Sequence, residues 1–145
     1  MNLFSVRPRL FIVNTDGALR LESGKTGLAA IVRDEKGQIL HWWSKRDKAM
    51  TCNEAEYAAA IMALEKICTL RTLPYSLKIL SDSQVLVHQM SGVATARAPA
   101  LRQLQMKLRG LLIPFEKVDF QHIPREQNRL ADAIANDAVD GKEMK

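Results

Sequence analysis

Two aspartates in the sequence stand where an unpaired carboxylate would be costly. Asp16 follows the apolar run FIV and the dipeptide NT, and Asp82 follows KIL and a serine. Each lies just beyond a segment that reads as a buried strand, and a small residue, Gly17 or Ser83, comes next. Burying such a charge costs free energy unless something binds it. If the two strands are parallel neighbours, both carboxylates share the corner of the sheet where α/β proteins place ligands.

An ordinary structural role competes with this interpretation for each aspartate alone. Aspartate is favoured in turns and at helix N-caps. Asp82 opens a predicted helix, so the N-cap explanation is about as good for it as a functional one. The two aspartates together are less easily explained in this way, and the pair therefore indicates a site.

The long helix predicted over Thr51 to Leu70 contains two glutamates, and only one has an ordinary explanation. Thr51 and Glu54 form the T-x-x-E pattern of a capping box, in which each side chain satisfies a backbone donor. Glu56 instead shares a face with small and apolar residues, which are Ala59, Ala60, Ala63 and Ile67. No basic residue stands at its helical neighbours, so Glu56 needs a partner from another part of the chain.

Periodicity does not single out Asp132 in the last predicted helix, REQNRLADAIANDAVDG, which follows Pro124 and ends at Gly141. The predicted buried face of this helix consists of Gln127, Leu130, Ala131, Ile134 and Ala138. Asp132 points away from the centre of that face, alongside Asn128. The pattern alone therefore predicts a solvent-facing aspartate.

The elements that must position these residues follow from hydrophobic patterning and turn signals. Strands are predicted at LFIV, GLAAIVRD, QILHWWSK, SLKIL and VDFQHI, and helices at the Thr51 segment, SDSQVLVHQMSG, APALRQLQMKLRGLL and the last segment. A β-β-β-α-β-α-α-β-α order implies a mixed sheet with helices covering its faces. We therefore expect one α/β domain over residues 1–145, with its core at about 10–140. Trp42 and Trp43 are adjacent in a strand, so we expect one in the core and the other at the surface.

Composition limits the class of protein. The chain has 145 residues, of which 47% are hydrophobic and 26% charged, as in a globular domain. Its longest apolar stretch is far below the roughly 18 residues of a membrane span, and its start lacks the apolar centre of a signal peptide. We therefore expect a soluble protein of the cytoplasm. The formal net charge of +5 makes a polyanionic partner worth considering.

The two cysteines predict neither a disulfide nor a zinc site. Cys52 and Cys68 fall in one predicted helix, sixteen positions and so roughly 24 Å apart. That distance excludes a bond within the molecule, and there is no CxxC pattern.

Four motifs, taken in order, carry a resemblance to a known family: TDG at 15–17, NEAEYAAA at 53–60, DSQ at 82–84 and HIPREQNRLAD at 122–132. Together they resemble the type 1 ribonucleases H, over Leu10 to about Ala138. The resemblance implies the family's five-stranded mixed sheet. It also implies an endonuclease, a phosphodiester hydrolase that cuts the RNA strand of RNA–DNA hybrids with two Mg²⁺ ions, for which Mn²⁺ can substitute. The implied metal ligands and catalytic carboxylates are Asp16, Glu56, Asp82 and Asp132.

The resemblance assigns further roles to residues around these carboxylates. His122 matches a loop histidine that helps proton transfer or product release, although its place on the last strand by itself favours a partly buried structural histidine. The implied substrate-binding residues are Asn53, Gln84, Thr51, Gly17 and Asn128. Contacts to phosphates and 2′-hydroxyls carry little sequence information, so we expect largely sequence-independent cleavage. The resemblance also implies a monomer.

The sequence departs from the family pattern in three places. Glu22 and Cys52 stand where asparagines are common in or near the phosphate pocket. The segment between Asp82 and His122 is too short for the extra helix and basic loop, so the chain resembles the forms that lack this handle. Two alternatives stay open: a catalytically weakened module that binds hybrids, and a DNA-directed nuclease of the same superfamily.

Overall fold

The computed structural model describes residues 7–142, which form five strands and four α-helices. The strands are β1 (Leu10–Arg20), β2 (Lys25–Arg33), β3 (Ile39–Lys48), β4 (Ser76–Ser81) and β5 (Lys117–His122). The helices are α1 (Cys52–Ile67), α2 (Gln84–Met90), α3 (Pro99–Leu112) and α4 (Arg129–Val139), and a short 3-10 helix at Arg125–Gln127 precedes α4. This order confirms the element order expected from the sequence.

The strands form one mixed sheet in the order β3-β2-β1-β4-β5. The first three strands pair antiparallel, whereas β4 pairs parallel with both β1 and β5. The strands that lead to Asp16 and Asp82 are therefore parallel neighbours, as the proposed acidic corner requires.

The strand that carries Asp16 is longer than predicted. Its apolar run ends at Val13, but β1 continues to Arg20 because its last residues pair with the start of β2. Pairing with the parallel strand β4 stops earlier, at Asn14. Asp16 thus lies within β1 rather than beyond it, just past the point where β4 stops pairing with it.

Helices cover both faces of the sheet. On one face, α1, α2 and α3 pack over the main core, which includes Tyr57, Leu64, Leu86 and Leu108. On the other face, α4 packs over a smaller apolar cluster of Ala18, Ala29, Ile31, Ala131, Ile134, Ala135 and Val139. Trp43 packs against the main core and Trp42 is 36% exposed, as predicted for adjacent strand residues.

Two glycines allow the helices that carry acidic residues to lie close to the sheet. A Cβ atom on Gly17 would come within 2.9 Å of the Cβ of Ala55 in α1. A Cβ atom on Gly27 would overlap the carbonyl oxygen of Ala135 in α4 and come within 2.6 Å of the Val139 nitrogen. Neither approach is tolerable for a real side chain, so glycine at these positions sets the depth at which α1 and α4 pack.

The capping box at the start of α1 is present as predicted. The Thr51 hydroxyl accepts a hydrogen bond from the Glu54 amide (3.2 Å), and the Glu54 carboxylate accepts one from the Thr51 amide (2.8 Å). Cys52 and Cys68 lie at opposite ends of this helix as free thiols. Within residues 7–142, none of the helices has the length and apolar character needed to cross a membrane.

Candidate active site

Three carboxylates meet where β1 separates from β4. Asp16 comes from β1, Glu56 from the second turn of α1, and Asp82 from the residue after β4. Each offers one oxygen atom, and these three atoms lie within 4.8 Å of one another. Asp16 is 4% exposed and Glu56 is 9% exposed, so two of the three charges are largely removed from water. The predicted acidic corner is present for these three residues.

The backbone amide of Gly17 holds two of these side chains in place. It donates to Asp16 Oδ1 (2.9 Å) and to Glu56 Oε1 (2.8 Å). The remainder of the Glu56 face of α1 is buried, in agreement with the predicted stripe of Ala59, Ala60, Ala63 and Ile67. Glu56 is therefore an acidic residue on an apolar helix face, and its carboxylate contacts Gly17 within β1.

The electrostatics of the cluster are unfavourable without a cation. Burial, with repulsion from Asp82 next in size, raises the pKa of Asp16 to about 7. Burial, followed by repulsion from Asp16 and Asp82, raises the pKa of Glu56 to about 9. Within residues 7–142, no lysine or arginine forms a salt bridge with any of the three. Crowded carboxylate oxygens without a basic partner are the donor set that suits Mg²⁺ or Mn²⁺.

The fourth predicted ligand, Asp132, lies at the edge of this cluster. It is in the first turn of α4, its side chain is 32% exposed, and its Oδ1 lies 3.6 Å from Arg125 Nη2. It is not one of the three residues within 4.8 Å of one another. Its carboxylate is still close enough to raise the pKa of Asp16. Asp132 is thus partly exposed, and it lies near the cluster of Asp16, Glu56 and Asp82 without belonging to it.

A cleft of about 610 Å³ opens over the carboxylates. All four predicted carboxylates line it, including Asp132. The other residues predicted to serve substrate or catalysis that line it are Gly17, Asn53, Gln84 and His122, with Cys52 beside them. His122 ends β5 and is exposed, contrary to the partly buried position that its strand alternation favoured. The cleft therefore brings an accessible imidazole to the acidic corner.

Two predicted substrate-binding residues, Thr51 and Asn128, form hydrogen bonds within the protein in this structure. The Thr51 hydroxyl caps α1. Asn128 is 1% exposed, and its amide hydrogen-bonds to Asn14 and to the Thr15 carbonyl. Asn128 was also expected to face solvent beside Asp132, and that expectation was wrong, because Asn128 precedes α4 and turns inward toward β1.

Sequence reasoning missed a set of contacts between the end of β1 and the C-terminal end of α4, in which Arg20 and Asn136 also line the cleft. Arg20 Nη2 donates to Asn136 Oδ1 (2.6 Å), and Arg20 Nε donates to Asp140 Oδ1 (3.0 Å). The guanidinium of Arg20 is therefore occupied by partners within the protein. Glu22 is exposed in the turn after β1. Arg20 and Asp140 are far apart in the sequence, so no local pattern could have linked them.

The raised pKa values predict how stability depends on pH when metal is absent. Between about pH 4 and the raised pKa values of about 7 and about 9, the folded chain holds protons that the unfolded chain releases. Because the native state then binds more protons, the free energy of unfolding should fall as pH rises through this window. Urea unfolding in EDTA at pH 5, 7 and 9 measures this fall, and added Mg²⁺ should reduce it.

The matched variant for this experiment is Glu56→Gln, which removes the more strongly shifted carboxyl. Its free energy of unfolding should decline less steeply with pH than that of the wild type. Identical pH slopes in the two proteins would show that Glu56 is not held protonated by the cluster.

Comparisons with known proteins agree with this architecture. A family model described as reverse transcriptase-like matches residues 14–138. The ribonuclease HI of Halobacterium salinarum is 33% identical over 125 residues, which are 86% of this chain and 62% of that protein. Its crystal structure has a TM-score of 0.84 at 30% identity, covering 91% of this chain and 98% of that one.

Two other relatives extend the comparison. The structure of LC11-RNase H1 in complex with an RNA/DNA hybrid has a TM-score of 0.83 at 34% identity, covering 90% of this chain and 97% of that one. A bifunctional protein of Mycobacterium tuberculosis is 30% identical over 130 residues, 89% of this chain. This chain spans only 35% of the length of that mycobacterial protein.

A mixed sheet in this strand order, with clustered carboxylates where its first and fourth strands part, defines a ribonuclease H-like domain. The matched motifs and the similarity to two ribonuclease H1 structures over nine tenths of the chain narrow the class further. The chain belongs to the ribonuclease HI family.

Proposed function

We propose that this protein is an endoribonuclease that hydrolyses the RNA strand of RNA–DNA hybrids, using divalent metal ions held by its acidic cluster. The observation that carries the proposal is the set of three carboxylates whose oxygens lie within 4.8 Å of one another, with no salt bridge to a lysine or arginine among residues 7–142. Two unit charges about 4 Å apart repel by roughly 4 kcal/mol at an effective dielectric of 20, so the cluster favours cations. Family membership supplies the reaction class.

The donor set supports a site for Mg²⁺ or Mn²⁺. Asp16, Glu56 and Asp82 would hold the metal, and Asp132 would complete the set from α4. Two bound ions would supply an activated water and charge stabilisation for the leaving oxygen. The protein's own part is to hold the carboxylates close together. The Gly17 amide assists through its hydrogen bonds to Asp16 and Glu56, which favour the ionised carboxylates and partly offset the effect of burial.

His122 is suited to proton movement at the same site. Its imidazole lines the cleft from the end of β5 and is exposed to solvent. An imidazole can donate a proton to a departing 3′ oxygen near neutral pH and recover it from water.

Recognition of the hybrid would rest on contacts that carry little sequence information. Asn53 and Gln84 are exposed at the starts of α1 and α2, and both line the cleft. Their amides can donate to and accept from base edges or 2′-hydroxyls in the wide minor groove. The basic surface of a chain with net charge +5 would add phosphate contacts. Cutting is therefore expected to be largely independent of sequence.

A substrate panel tests this proposal. RNA–DNA hybrid, single-stranded RNA, duplex RNA and duplex DNA of one sequence are each end-labelled and incubated with Mg²⁺, Mn²⁺ or EDTA. Metal-dependent cutting of only the RNA strand of the hybrid is expected. Hybrid binding without cutting under any metal would indicate a binding module, and cutting of duplex DNA would indicate a DNA-directed nuclease.

A further inference from the structure

A buried chain of polar side chains connects the two elements that carry Asp16 and Asp132. Arg33 Nη1 donates to Asn14 Oδ1 (2.8 Å), Asn14 Nδ2 donates to Asn128 Oδ1 (3.0 Å), and Asn128 Nδ2 donates to the Thr15 carbonyl (3.0 Å). We call these three side chains, Arg33, Asn14 and Asn128, the amide bridge. Asn14 is 5% exposed and Asn128 is 1% exposed, so the two asparagines lie in the interior, whereas Arg33 is only partly buried.

The bridge ends beside the acidic residues on both sides. Asn14 lies two positions before Asp16 on the same face of β1, toward α4. Asn128 lies at the start of α4, and its carbonyl accepts a hydrogen bond from the Asp132 amide (3.0 Å). The side-chain bonds therefore join the backbone that carries one carboxylate to the backbone that carries the other.

The orientation of each asparagine amide in the bridge is fixed by its hydrogen-bond partners. Because Arg33 can only donate, it fixes the oxygen of the Asn14 amide toward β2 and leaves the nitrogen facing Asn128. The Thr15 carbonyl can only accept, so it fixes the nitrogen of Asn128 and leaves its oxygen facing Asn14. The bridge has one arrangement that satisfies every buried donor and acceptor, and a shift of α4 would break it.

The Asn128 side chain makes these contacts instead of capping α4. Asparagine at a helix N-cap normally accepts from an amide in the first turn. The Asn128 side chain makes no such capping bond in α4 and bonds to β1 instead. A residue that serves only to start the helix would not be oriented in this way.

The start of α4 needs such a restraint. Asp132 repels Asp16, and Arg125 lies 3.6 Å from its outer side. The other end of the helix is held separately, by Arg20 on Asp140 and by Arg46 on the Val139 carbonyl. Without the bridge, the first turn could move away from the cluster while the rest of α4 stayed packed.

We propose that Arg33, Asn14 and Asn128 are positioning residues that hold Asp132 at the distance from Asp16 required for metal binding. The inference rests on the proposed function, because it gives Asp132 a role as the fourth ligand. It also reassigns Asn128, predicted to contact substrate, to the alignment of the carboxylates.

The test combines Asn14→Ala, Asn128→Ala and the double variant with a control, Gln89→Met. Gln89 is 8% exposed and accepts a hydrogen bond from the Tyr57 hydroxyl (2.7 Å) on the opposite face of the sheet. The Gln89→Met variant therefore shows the effect of losing a buried hydrogen bond that lies far from α4. Mn²⁺ affinity is measured by electron paramagnetic resonance on substrate-free protein, together with kcat and KM for the hybrid and the free energy of unfolding.

Each alanine variant should bind Mn²⁺ about 10-fold more weakly and lose about 10-fold or more in kcat with KM little changed. The double variant should resemble the single ones, because either change breaks the same bridge. Gln89→Met should lose stability while keeping both metal affinity and kcat. Arg33→Met, at a partly exposed position, should show a smaller change in the same direction and covers the case in which an alanine variant fails to fold.

Two outcomes would overturn the inference in distinguishable ways. If the wild type binds Mn²⁺ and cuts the hybrid, while the bridge variants lose only stability as Gln89→Met does, the bridge is structural. If the wild type neither binds Mn²⁺ nor cuts the hybrid, the proposed function itself fails, and this inference fails with it.

Discussion

Replacing Asp16 with asparagine is expected to remove hybrid cleavage and, at the same time, to stabilise the metal-free protein. Asp16 is one of the three converging carboxylates, so its loss should lower the cleavage rate by about 10³-fold or more. Burial, with repulsion from Asp82 next, raises its pKa to about 7, so at pH 8 its charge opposes folding. The asparagine side chain is neutral, and a gain of about 2 kcal/mol in EDTA is expected. Cleavage assays and urea unfolding at pH 8 measure the two effects.

The matched control is Asp119→Asn. Asp119 lies on β5 with 55% of its side chain exposed, in a surface salt bridge to Lys117, and should change neither quantity appreciably. An Asp16→Asn protein that cut normally would exclude Asp16 as a ligand. One that lost both activity and stability would show that Asp16 supports the fold rather than opposing it.

Replacing Gly27 with alanine is expected to be among the most damaging single changes in the chain. The added Cβ would meet backbone atoms of α4, overlapping the Ala135 carbonyl oxygen and lying 2.6 Å from the Val139 nitrogen. Backbone cannot yield as a flexible side chain does, so the helix must move away from β2. A loss of about 3 kcal/mol or more in the free energy of unfolding is expected, with reduced cleavage because α4 carries Asp132.

Gly110→Ala provides the comparison within the same chain. Gly110 lies in α3, and among the described residues no atom lies within 4 Å of the position its Cβ would take, apart from the adjoining residues and backbone of its own helix. Alanine is favoured over glycine inside a helix by about 1 kcal/mol, so this change should leave the protein as stable or more stable. Equal destabilisation by the two changes would contradict the steric account of Gly27.

The residues of the site that could be predicted are those marked by a pattern within a single helix or strand. The capping box explains Glu54 within four residues, which leaves Glu56 as the unexplained acid on an apolar helix face. The strand patterns before Asp16 and Asp82 likewise predict a shared corner once the strands are taken as parallel neighbours. Each of these inferences needs only the pattern of apolar and polar residues along one helix or strand.

Asp132 and Asn128 could not be placed in this way, because the last helix does not start where its pattern indicates. Gln127 belongs to a separate 3-10 helix, and Leu130 is 43% exposed. Ala131, Ile134 and Ala138 are buried as predicted, but the prediction that Gln127 and Leu130 belong to the same buried face was wrong. The contacts that place α4, from Asn14 and Arg20, come from residues more than 100 positions earlier. Only the family resemblance could point to Asp132.

The central claim is that metal ions held by the acidic cluster act on the scissile phosphate of the hybrid's RNA strand. The most direct measurement uses hybrids in which sulfur replaces one non-bridging oxygen at a single cleavage site, with each diastereomer assayed in Mg²⁺ and in Mn²⁺. Because Mn²⁺ accepts sulfur more readily than Mg²⁺ does, at least one diastereomer should be cut slowly in Mg²⁺ and regain its rate in Mn²⁺. Cleavage that is equally fast in EDTA, or that sulfur slows equally in both metals, would contradict the account.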